Sequence, residues 1–249
     1  MDQIKKQLAY YLLGHFKSIY GLFLFRKVET AMHSVKPTAY NYGPLGHIKI
    51  AHSVWSSVVK LGDTVIDATC GNGHDSLYMA QLSLTESTGR LFCMDIQMRA
   101  IENTRGRLLQ SSQFIDRVSF VCGNHAIFPA EISPSSVSLV VYNLGYLPSP
   151  EGGSEDILKT NMSTTLQSIT SACLLLKEGG LLSVTAYPAH EGGQAELLAV
   201  QQLLSSFDQE VWRVHAHAPL NRPLTPTLFL AFKIEKFGYY KNNKNKKKV

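Results

Sequence analysis

The sequence predicts an α/β fold: a mostly parallel, seven-stranded sheet with one antiparallel strand and helices on both faces. Short apolar runs alternate with helix-like segments five times between residues 47 and 207, a pattern typical of parallel βα units. Two further strand-like segments follow, and the proline-rich connection between them is short enough to require antiparallel pairing. With 249 residues, 45% of them hydrophobic, the chain suffices for one such core.

Three segments are predicted along the chain. Residues 47–236 form the α/β domain, residues 1–46 an N-terminal helical extension, and residues 237–249 a basic, disordered tail. The extension is apolar and aromatic from Tyr10 to Phe25, but a histidine and a lysine interrupt this stretch, which is too short for a membrane span. We predict an amphipathic helix there, with an organelle-targeting segment as the alternative.

Charge is divided unevenly along the chain. Six lysines and no acidic residue lie between Lys236 and Val249, whereas residues 37–235 carry 12 lysines and arginines against 17 acidic residues. Basic chain ends neutralise phosphates without reading sequence. Two interpretations are open: the basic ends hold a nucleic acid, or the tail only keeps the protein in solution.

The four cysteines are Cys70, Cys93, Cys122 and Cys173, and no pair has Cys-x-x-Cys spacing. All four lie in or beside predicted core segments. This usage predicts buried thiols in a reducing compartment, here the cytoplasm, and neither a disulfide framework nor a metal site.

The first helix of the domain, His47 to Lys60, has apolar residues at helical spacing, and a strand from Thr64 to Asp67 follows. Gly71 and Gly73 come next. Glycines there let the backbone turn sharply and approach a ligand, and the helix after them aims free N–H groups at it. Gly-x-Gly alone fits a nucleotide-type cofactor or a plain tight turn equally well. His52 faces either this loop or a packing surface.

The second strand, Arg90 to Asp95, also ends on an acid, 28 residues after Asp67. Neighbouring parallel strands end at the same edge of a sheet, where an acid can accept hydrogen bonds from both hydroxyls of a ribose. Gln97 stands just beyond, at the start of the next helix. This spacing favours a nucleoside-containing cofactor over a plain turn.

The third strand, Val118 to Cys122, leads into Asn124 and His125. These positions would border the base of such a cofactor, where both side chains can hydrogen-bond or stack. A loop histidine paired with the backbone is an equally good interpretation of His125.

The fourth strand, Val137 to Tyr142, runs into Asn143, Gly145 and Tyr146. A carboxamide, a glycine and an aromatic ring at the mouth of the pocket suit a planar substrate that carries an amine. An ordinary strand-to-loop turn rarely combines them.

The remaining elements complete the sheet. A long helix is predicted from Asp156 to Leu176, with its end at the glycine turn Lys177 to Gly180. The fifth strand, a helix and the two closing strands then follow at Leu181–Tyr187, Gln194–Phe207, Glu210–Ala216 and Thr227–Glu235.

The glycine loop lacks the features of two common nucleotide sites. A dinucleotide fingerprint requires a third glycine near Ser76, and a phosphate-binding P-loop requires Gly-Lys-Ser/Thr after the glycines. Neither is present, which favours a ligand with a sulfonium and an amino acid end over one with a pyrophosphate. A sheet with one reversed strand is likewise typical of Rossmann-like methyltransferases.

Five motifs carry a family resemblance: Asp67-Ala-Thr-Cys-Gly-Asn-Gly-His-Asp75, Met94-Asp-Ile-Gln97, Asn143-Leu-Gly-Tyr-Leu-Pro148, Tyr187-Pro-Ala-His-Glu-Gly-Gly193 and Leu220-Asn-Arg-Pro223. Together they resemble the S-adenosylmethionine-dependent methyltransferases of the rRNA methylase family, over roughly His47 to Lys236. The chain departs from the family pattern at Ala189 and Glu191, and at Ser149-Pro-Glu, where a glycine-rich loop is usual.

The resemblance implies a Rossmann-like class I methyltransferase fold and S-adenosyl-L-methionine as the cofactor. Asp67, the last residue of the first strand, is predicted to bind the cofactor. The other implied contacts are Gly71, Asn72, Gly73 and Asp75 to the methionine part, Asp95 and Gln97 to the ribose, and Asn124 and His125 to the adenine side.

Five further residues are candidates on the acceptor side. By the resemblance, Asn143 and Tyr146 would face the methyl acceptor. Asp156, Tyr187 and His190 are our own candidates, as polar residues, for orienting an amine or accepting its proton. Structural roles are open alternatives: Tyr146 packs on its own loop, Asp156 caps a helix, and His190 fixes its loop.

Members of the family are associated with methylating 5-aminomethyl-2-thiouridine at the tRNA wobble position, giving the 5-methylaminomethyl form. The resemblance therefore implies an RNA N-methyltransferase with tRNA as its partner, with neither a metal nor a membrane. Two other functions stay open: a methyltransferase acting on rRNA or a small amine, and a non-catalytic RNA-binding protein on the same fold. The sequence does not decide between a monomer and a homodimer.

Overall fold

The structure is a computed structural model that describes residues 46–111, 114–145, 162–222 and 224–235. Helices and strands alternate through most of these ranges, beginning with a helix. The helices are α1 (His47–Val58), α2 (His74–Ser83), α3 (Met98–Ser111), α4 (Met162–Leu175) and α5 (Gly193–Ser205). The strands are β1 (Thr64–Asp67), β2 (Arg90–Asp95), β3 (Val118–Cys122), β4 (Val137–Leu144), β5 (Leu176–Ala186), β6 (Trp212–His217) and β7 (Thr227–Lys233).

All seven strands belong to one sheet, in the order β3-β2-β1-β4-β5-β7-β6. The first five strands pair in parallel, whereas β7 is antiparallel to both of its neighbours. The predicted sheet with one reversed strand is confirmed, as is the antiparallel pairing of the two closing strands.

The central strands are buried on both faces by the flanking helices. Every residue of β4 from Val137 to Tyr142 is buried. The side chains of β4 alternate between two core layers: Val140 and Tyr142 lie in one layer, and Leu139 and Val141 lie in the other. A strand covered on both faces needs apolar residues at successive positions, which explains the continuous apolar runs in the sequence.

The start of β5 differs from the prediction. Lys177 to Gly180 was predicted as a turn that ends a helix, with the strand beginning at Leu181, but β5 already begins at Leu176. The pairing with β4 shifts register across this segment, and Gly179 has a φ of 75°. The glycine pair therefore lies in a bulge inside the strand, because β5 pairs with Val137 at Leu176 and resumes pairing with Leu139 only at Leu181.

Parts of the predicted organisation lie outside the described residues. They include the N-terminal extension, the tail and the predicted helix start at Asp156. The three-segment division stays a prediction. Across the described ranges, no helix combines the length and apolar character needed to cross a membrane.

Candidate functional site

Polar side chains from neighbouring strands meet at the carboxyl edge of the sheet. β1 pairs with β2 on one side and with β4 on the other, so Asp67, Asp95 and Asn143 lie at the same edge. Tyr187 directly follows the next strand, β5. The strand order reverses between β1 and β4, which is where open α/β sheets bind ligands.

The loop between β1 and α2 is a tight, left-handed turn. Gly71 has a φ of 51° and Gly73 a φ of 75°. A Cβ on Gly73 would lie 2.7 Å from Cα of Thr104, so the loop packs closely against α3. The Thr104 hydroxyl also donates a hydrogen bond to the Gly71 carbonyl at 3.0 Å. These contacts account for both glycines by backbone shape alone.

Asp95 connects this loop to the end of β2. One carboxylate oxygen accepts a hydrogen bond from the Gly71 backbone N–H at 3.1 Å, and the other accepts one from the Gln97 backbone N–H at 2.9 Å. Burial raises the pKa of Asp95, whereas these hydrogen bonds lower it. The carboxylate is thus fixed at the sheet edge, with lone pairs left for hydroxyl donors.

Asp67 lies beneath the loop and is 1% exposed. Its two oxygens accept hydrogen bonds from the Ser76 hydroxyl at 2.6 Å and from the Thr69 backbone N–H at 3.3 Å. Desolvation, followed by the charge of Asp75, raises the pKa of Asp67 to about 7. Asp67 therefore supports the loop from inside, and a direct contact with the cofactor stays a prediction.

Asp75, in the first turn of α2, connects two other elements of the site. One oxygen lies 2.7 Å from Nε2 of His52 on α1, and the other accepts a hydrogen bond from the Asn143 amide at 2.7 Å. The structure bears out both interpretations of His52, because its ring faces the loop at Asp75 and also packs against aromatic rings. Asn143 is also held through its backbone N–H, which donates to the Thr69 hydroxyl at 2.7 Å.

Asn72 faces α3. Its side-chain oxygen accepts a hydrogen bond from Asn103 at 2.9 Å, and its backbone carbonyl accepts one from Arg107 at 2.7 Å. The side chain thus stabilises the outer side of the loop.

Asn124 and His125 lie after β3, as predicted, but both make local contacts. The side-chain oxygen of Asn124 accepts a hydrogen bond from the Ala126 backbone N–H at 2.9 Å. The His125 ring packs edge-on against the buried Tyr142 ring, with centroids 5.9 Å apart, and burial lowers its pKa. The His125 carbonyl accepts a hydrogen bond from Ser168, which ties this loop to α4.

The loops after β4 and β5 meet at Tyr187. A Cβ on Gly145 would lie 3.7 Å from the Tyr187 ring, and the Tyr187 hydroxyl is 3.3 Å from Nε2 of His47. His190 packs against the first residue of α5, since a Cβ on Gly193 would be 2.9 Å from Nε2 of His190. Tyr187 and His190 are thus brought to the Asn143 side of the edge. The predicted acceptor residues Tyr146 and Asp156 lie outside the described residues.

Sequence reasoning missed two residues of the edge. His47 begins α1 and reaches Tyr187 across 140 positions of sequence, and burial lowers its pKa. No local pattern indicates such a contact. Ile96 is 56% exposed directly after Asp95. The sequence shows an apolar residue after the predicted ribose-binding acid, but only the structure shows that it is exposed.

The cysteines only partly match the prediction. Cys70 and Cys93 are buried and Cys173 is half-buried, but Cys122, the last residue of β3, is exposed. The prediction was wrong for Cys122. This residue ends β3, which lies at the edge of the sheet and has a neighbouring strand on one side only. Among the described residues, no group of three metal-binding side chains is close enough to hold an ion.

The strand order, the glycine loop after β1 and the acid after β2 define a class of protein, the S-adenosylmethionine-dependent methyltransferases. Comparison with known proteins gives the same class and the family within it. The family model described as "Putative rRNA methylase" matches residues 91–233. The chain belongs to this rRNA methylase family, as the motifs in its sequence predict.

Relatives support this membership over most of the chain. The chain is 39% identical over 203 residues, 79% of this chain and 72% of the relative, to a protein of Arabidopsis thaliana named tRNA (mnm(5)s(2)U34)-methyltransferase, chloroplastic. Among solved structures, a protein from Clostridium thermocellum described as a "putative rRNA-methylase" is 35% identical with a TM-score of 0.69, and the match covers 76% of this chain and 98% of that protein.

A methyltransferase from Streptococcus mutans, solved in complex with SAH, is 28% identical with a TM-score of 0.65 and the same two coverages, 76% and 98%. The protein is thus an S-adenosylmethionine-dependent methyltransferase.

The residues at the edge fit this cofactor. Asp95 offers a fixed carboxylate to ribose hydroxyls, Gly71 leaves the backbone open to close approach, and Ile96 presents an exposed apolar side chain to a base. The loop at residues 68–73 contains no lysine or arginine, and Arg107 of α3, which reaches it, donates to the Asn72 carbonyl. The chemistry of this set therefore fits a nucleoside that carries no phosphate.

Proposed function

We propose that the protein methylates the exocyclic amine of 5-aminomethyl-(2-thio)uridine at the wobble position of tRNA, giving 5-methylaminomethyl-(2-thio)uridine. The observation that carries this proposal is the Asn143 amide, held at the end of β4 by Asp75 and Thr69. An amide fixed at the cofactor edge suits an amine acceptor. The plant relative named for this tRNA position supports the choice of RNA.

The cofactor, when bound, supplies a methyl group carried on a sulfonium. Methyl transfer needs an in-line approach of a neutral amine, so the protein's contribution is positioning and proton removal. The amine lone pair forms the new N–C bond as the C–S bond breaks, and the nitrogen then loses a proton.

On the cofactor side, we propose that Asp95 and Gln97 hold the ribose, and that the loop at Gly71, Asn72, Gly73 and Asp75 holds the methionine part. Asn124 and His125 would border the adenine. Asp95 is the best supported of these contacts, because its carboxylate is already fixed by two backbone donors.

On the acceptor side, Tyr187 and His47 form a polar pair that can receive or relay the amine proton. Burial lowers the pKa of His47, which keeps its imidazole neutral and able to accept a proton. His190 belongs to the same proposed set, as do Tyr146 and Asp156, which lie outside the described residues.

Nucleoside mass spectrometry tests the proposal. The protein and S-adenosylmethionine are incubated with tRNA rich in 5-aminomethyl-2-thiouridine, and parallel reactions contain rRNA or a small primary amine. Conversion to the methylaminomethyl form by wild type but not by Asp95→Ala is expected. Methylation only in a parallel reaction would move the substrate to rRNA or a small amine, and failure in all three would favour a non-catalytic RNA-binding protein.

Localisation and assembly belong to the same proposal. We infer a cytoplasmic protein that binds RNA, with an organelle as the alternative that the name of the plant relative favours. A fluorescent fusion of the full chain separates the two compartments, and light scattering in solution tests for a homodimer.

A further inference from the structure

The His52 side chain is held in one orientation by aromatic rings of α1 and α2. Its imidazole stacks on Tyr78, with centroids 4.0 Å apart and an angle of 8° between the planes. Trp55 packs against it at 5.0 Å, and the Tyr78 hydroxyl donates a hydrogen bond to the His52 carbonyl at 3.2 Å. The ring is therefore fixed, and its Nε2 is directed at Asp75.

Asp75 has a different partner on each oxygen. His52 lies 2.7 Å from one, and the Asn143 amide nitrogen lies 2.7 Å from the other. An ionised carboxylate accepts hydrogen bonds and donates none, so His52 must present N–H and Asn143 must present its NH₂ group. The carboxylate cannot turn without losing one of the two bonds.

The orientation of the Asn143 amide follows from this pairing. With its NH₂ group on Asp75, its carbonyl oxygen points to the other side of the side chain. That oxygen has no hydrogen-bond partner within the part of the chain that the structure describes. It is available to a donor at the acceptor edge.

We propose that His52 is a positioning residue for methyl transfer: it holds Asp75, which in turn holds the Asn143 carbonyl oxygen toward the acceptor. This inference deepens the proposed function and rests on it, because it explains why an amine is the acceptor. An amine presents N–H to a carbonyl oxygen, whereas a group with only acceptor atoms is repelled.

The same arrangement favours the transition state. The amine nitrogen gains positive charge as its bond to the methyl group forms, so a carbonyl dipole directed at that nitrogen is stabilising. The negative Asp75 behind the amide polarises the carbonyl further, since hydrogen bonds in a chain strengthen one another. Loss of His52 should therefore lower kcat more than it changes substrate affinity.

Substitutions at His52 separate hydrogen bonding from packing. His52→Phe keeps a stacking ring but removes the donor, and His52→Leu is a second removal variant should the first not fold. His52→Gln restores a donor at a similar reach. His215→Phe on the outermost strand β6 is the matched control, because it removes an exposed histidine remote from Asp75.

Two readouts are measured on the full-length protein. The first is kcat and KM with the tRNA substrate, with thermal melting to confirm folding. The second needs no substrate: the side-chain amide signal of Asn143 in ¹⁵N-labelled protein with bound S-adenosylhomocysteine, assigned through Asn143→Ala. An amide proton held by a carboxylate resonates downfield of its geminal partner.

His52→Phe should lower kcat by about 10- to 100-fold, leave KM within about threefold and abolish the downfield shift. His52→Gln should restore both, and His215→Phe should change neither. An unchanged amide signal in the removal variants, or a Gln variant that restores nothing, would overturn the proposal. If wild type itself fails to methylate the tRNA, the proposed function fails, and the amide signal alone then decides the role of His52.

Discussion

Asp95 acts at the scale of a single residue on two backbone segments. Its carboxylate accepts hydrogen bonds from Gly71 and Gln97, so one side chain fixes the glycine loop relative to the end of β2. Hydrogen bonds to a charged acceptor contribute about 1.5–3 kcal/mol each. A ligand that uses the loop and the carboxylate together should therefore depend strongly on Asp95.

Substitution of Asp95 should weaken cofactor binding. We expect Asp95→Ala to raise the Kd for S-adenosylmethionine by about 10- to 100-fold, because it loses both the ligand contact and the loop support. Asp95→Asn keeps one acceptor oxygen and should lie between wild type and Ala. Isothermal titration calorimetry measures this order, and equal Kd values for Ala and wild type would contradict it.

Asp67 couples stability to pH. Its pKa rises from 3.8 to about 7 on folding. Between about pH 4 and pH 7 the Asp67 carboxyl is therefore protonated in the native state and ionised in the unfolded state. Stability from this group is therefore full below about pH 4 and is lost as pH rises to about 7. The difference corresponds to roughly 4 kcal/mol as an upper value.

Replacement of Asp67 by Asn should remove this dependence. We expect the free energy of unfolding of wild type, relative to Asp67→Asn, to fall between pH 5 and pH 8. The comparison must be with the variant, because burial lowers the pKa of His47 and His125 and their effect has the opposite sign. Urea unfolding at both pH values measures it. A difference between the two proteins that stays constant with pH would show that Asp67 does not titrate in this range.

The glycine loop and α3 show how elements are fitted together. Gly73 is left-handed and pressed against the Thr104 backbone, whereas Gly106, inside α3, has open space where a Cβ would lie. Both positions are glycines, but the structure has room for a methyl group only at Gly106.

An alanine at each position should have opposite effects. Gly73→Ala should cost about 2 kcal/mol or more and lower the Tm by about 4–8 °C, because it combines a positive φ with a clash. Gly106→Ala should stabilise by about 0.5–1 kcal/mol, since it improves helix propensity. Calorimetric melting compares the two with wild type, and a Gly73→Ala protein that melts like wild type would contradict this account of the loop.

The sequence predicted elements whose signal is local. Asp67 and Asp95 were recognisable because each ends an apolar run, and the glycines because few residues adopt their conformation. The bulge at Lys177 to Gly180 was missed because glycines at the end of a helix and in a bulge look alike. The roles of His52 and His47 could not be predicted, because their partners Asp75 and Tyr187 are 23 and 140 positions away.

At the scale of the whole molecule, strand order was predictable because chain connectivity restricts it. A short connection required β6 and β7 to pair antiparallel, and alternating helices required the other strands to be parallel. Charge is also distributed unevenly along the whole chain. The acidic middle of the chain and the lysine-rich end leave the two interpretations open: the basic ends hold a nucleic acid, or the tail only keeps the protein in solution.

Removal of residues 237–249 should weaken RNA binding without affecting the cofactor. The deletion removes five lysines, so we expect a shallower dependence of affinity on salt, by up to about 4 in logarithmic slope, and the largest loss at low salt. Fluorescence anisotropy with labelled tRNA across a salt series measures this. An RNA affinity unchanged at low salt would show that the tail only aids solubility.

We propose that the carboxyl edge binds the cofactor and that Asn143 there contacts the amine acceptor. The most direct test follows transfer of a deuterated methyl group from S-adenosylmethionine to the wobble nucleoside of tRNA by wild type and by Asn143→Ala, with cofactor affinity measured in parallel. The account predicts label on the amine with wild type, and cofactor binding without transfer for the variant. Equal transfer by both proteins would contradict it.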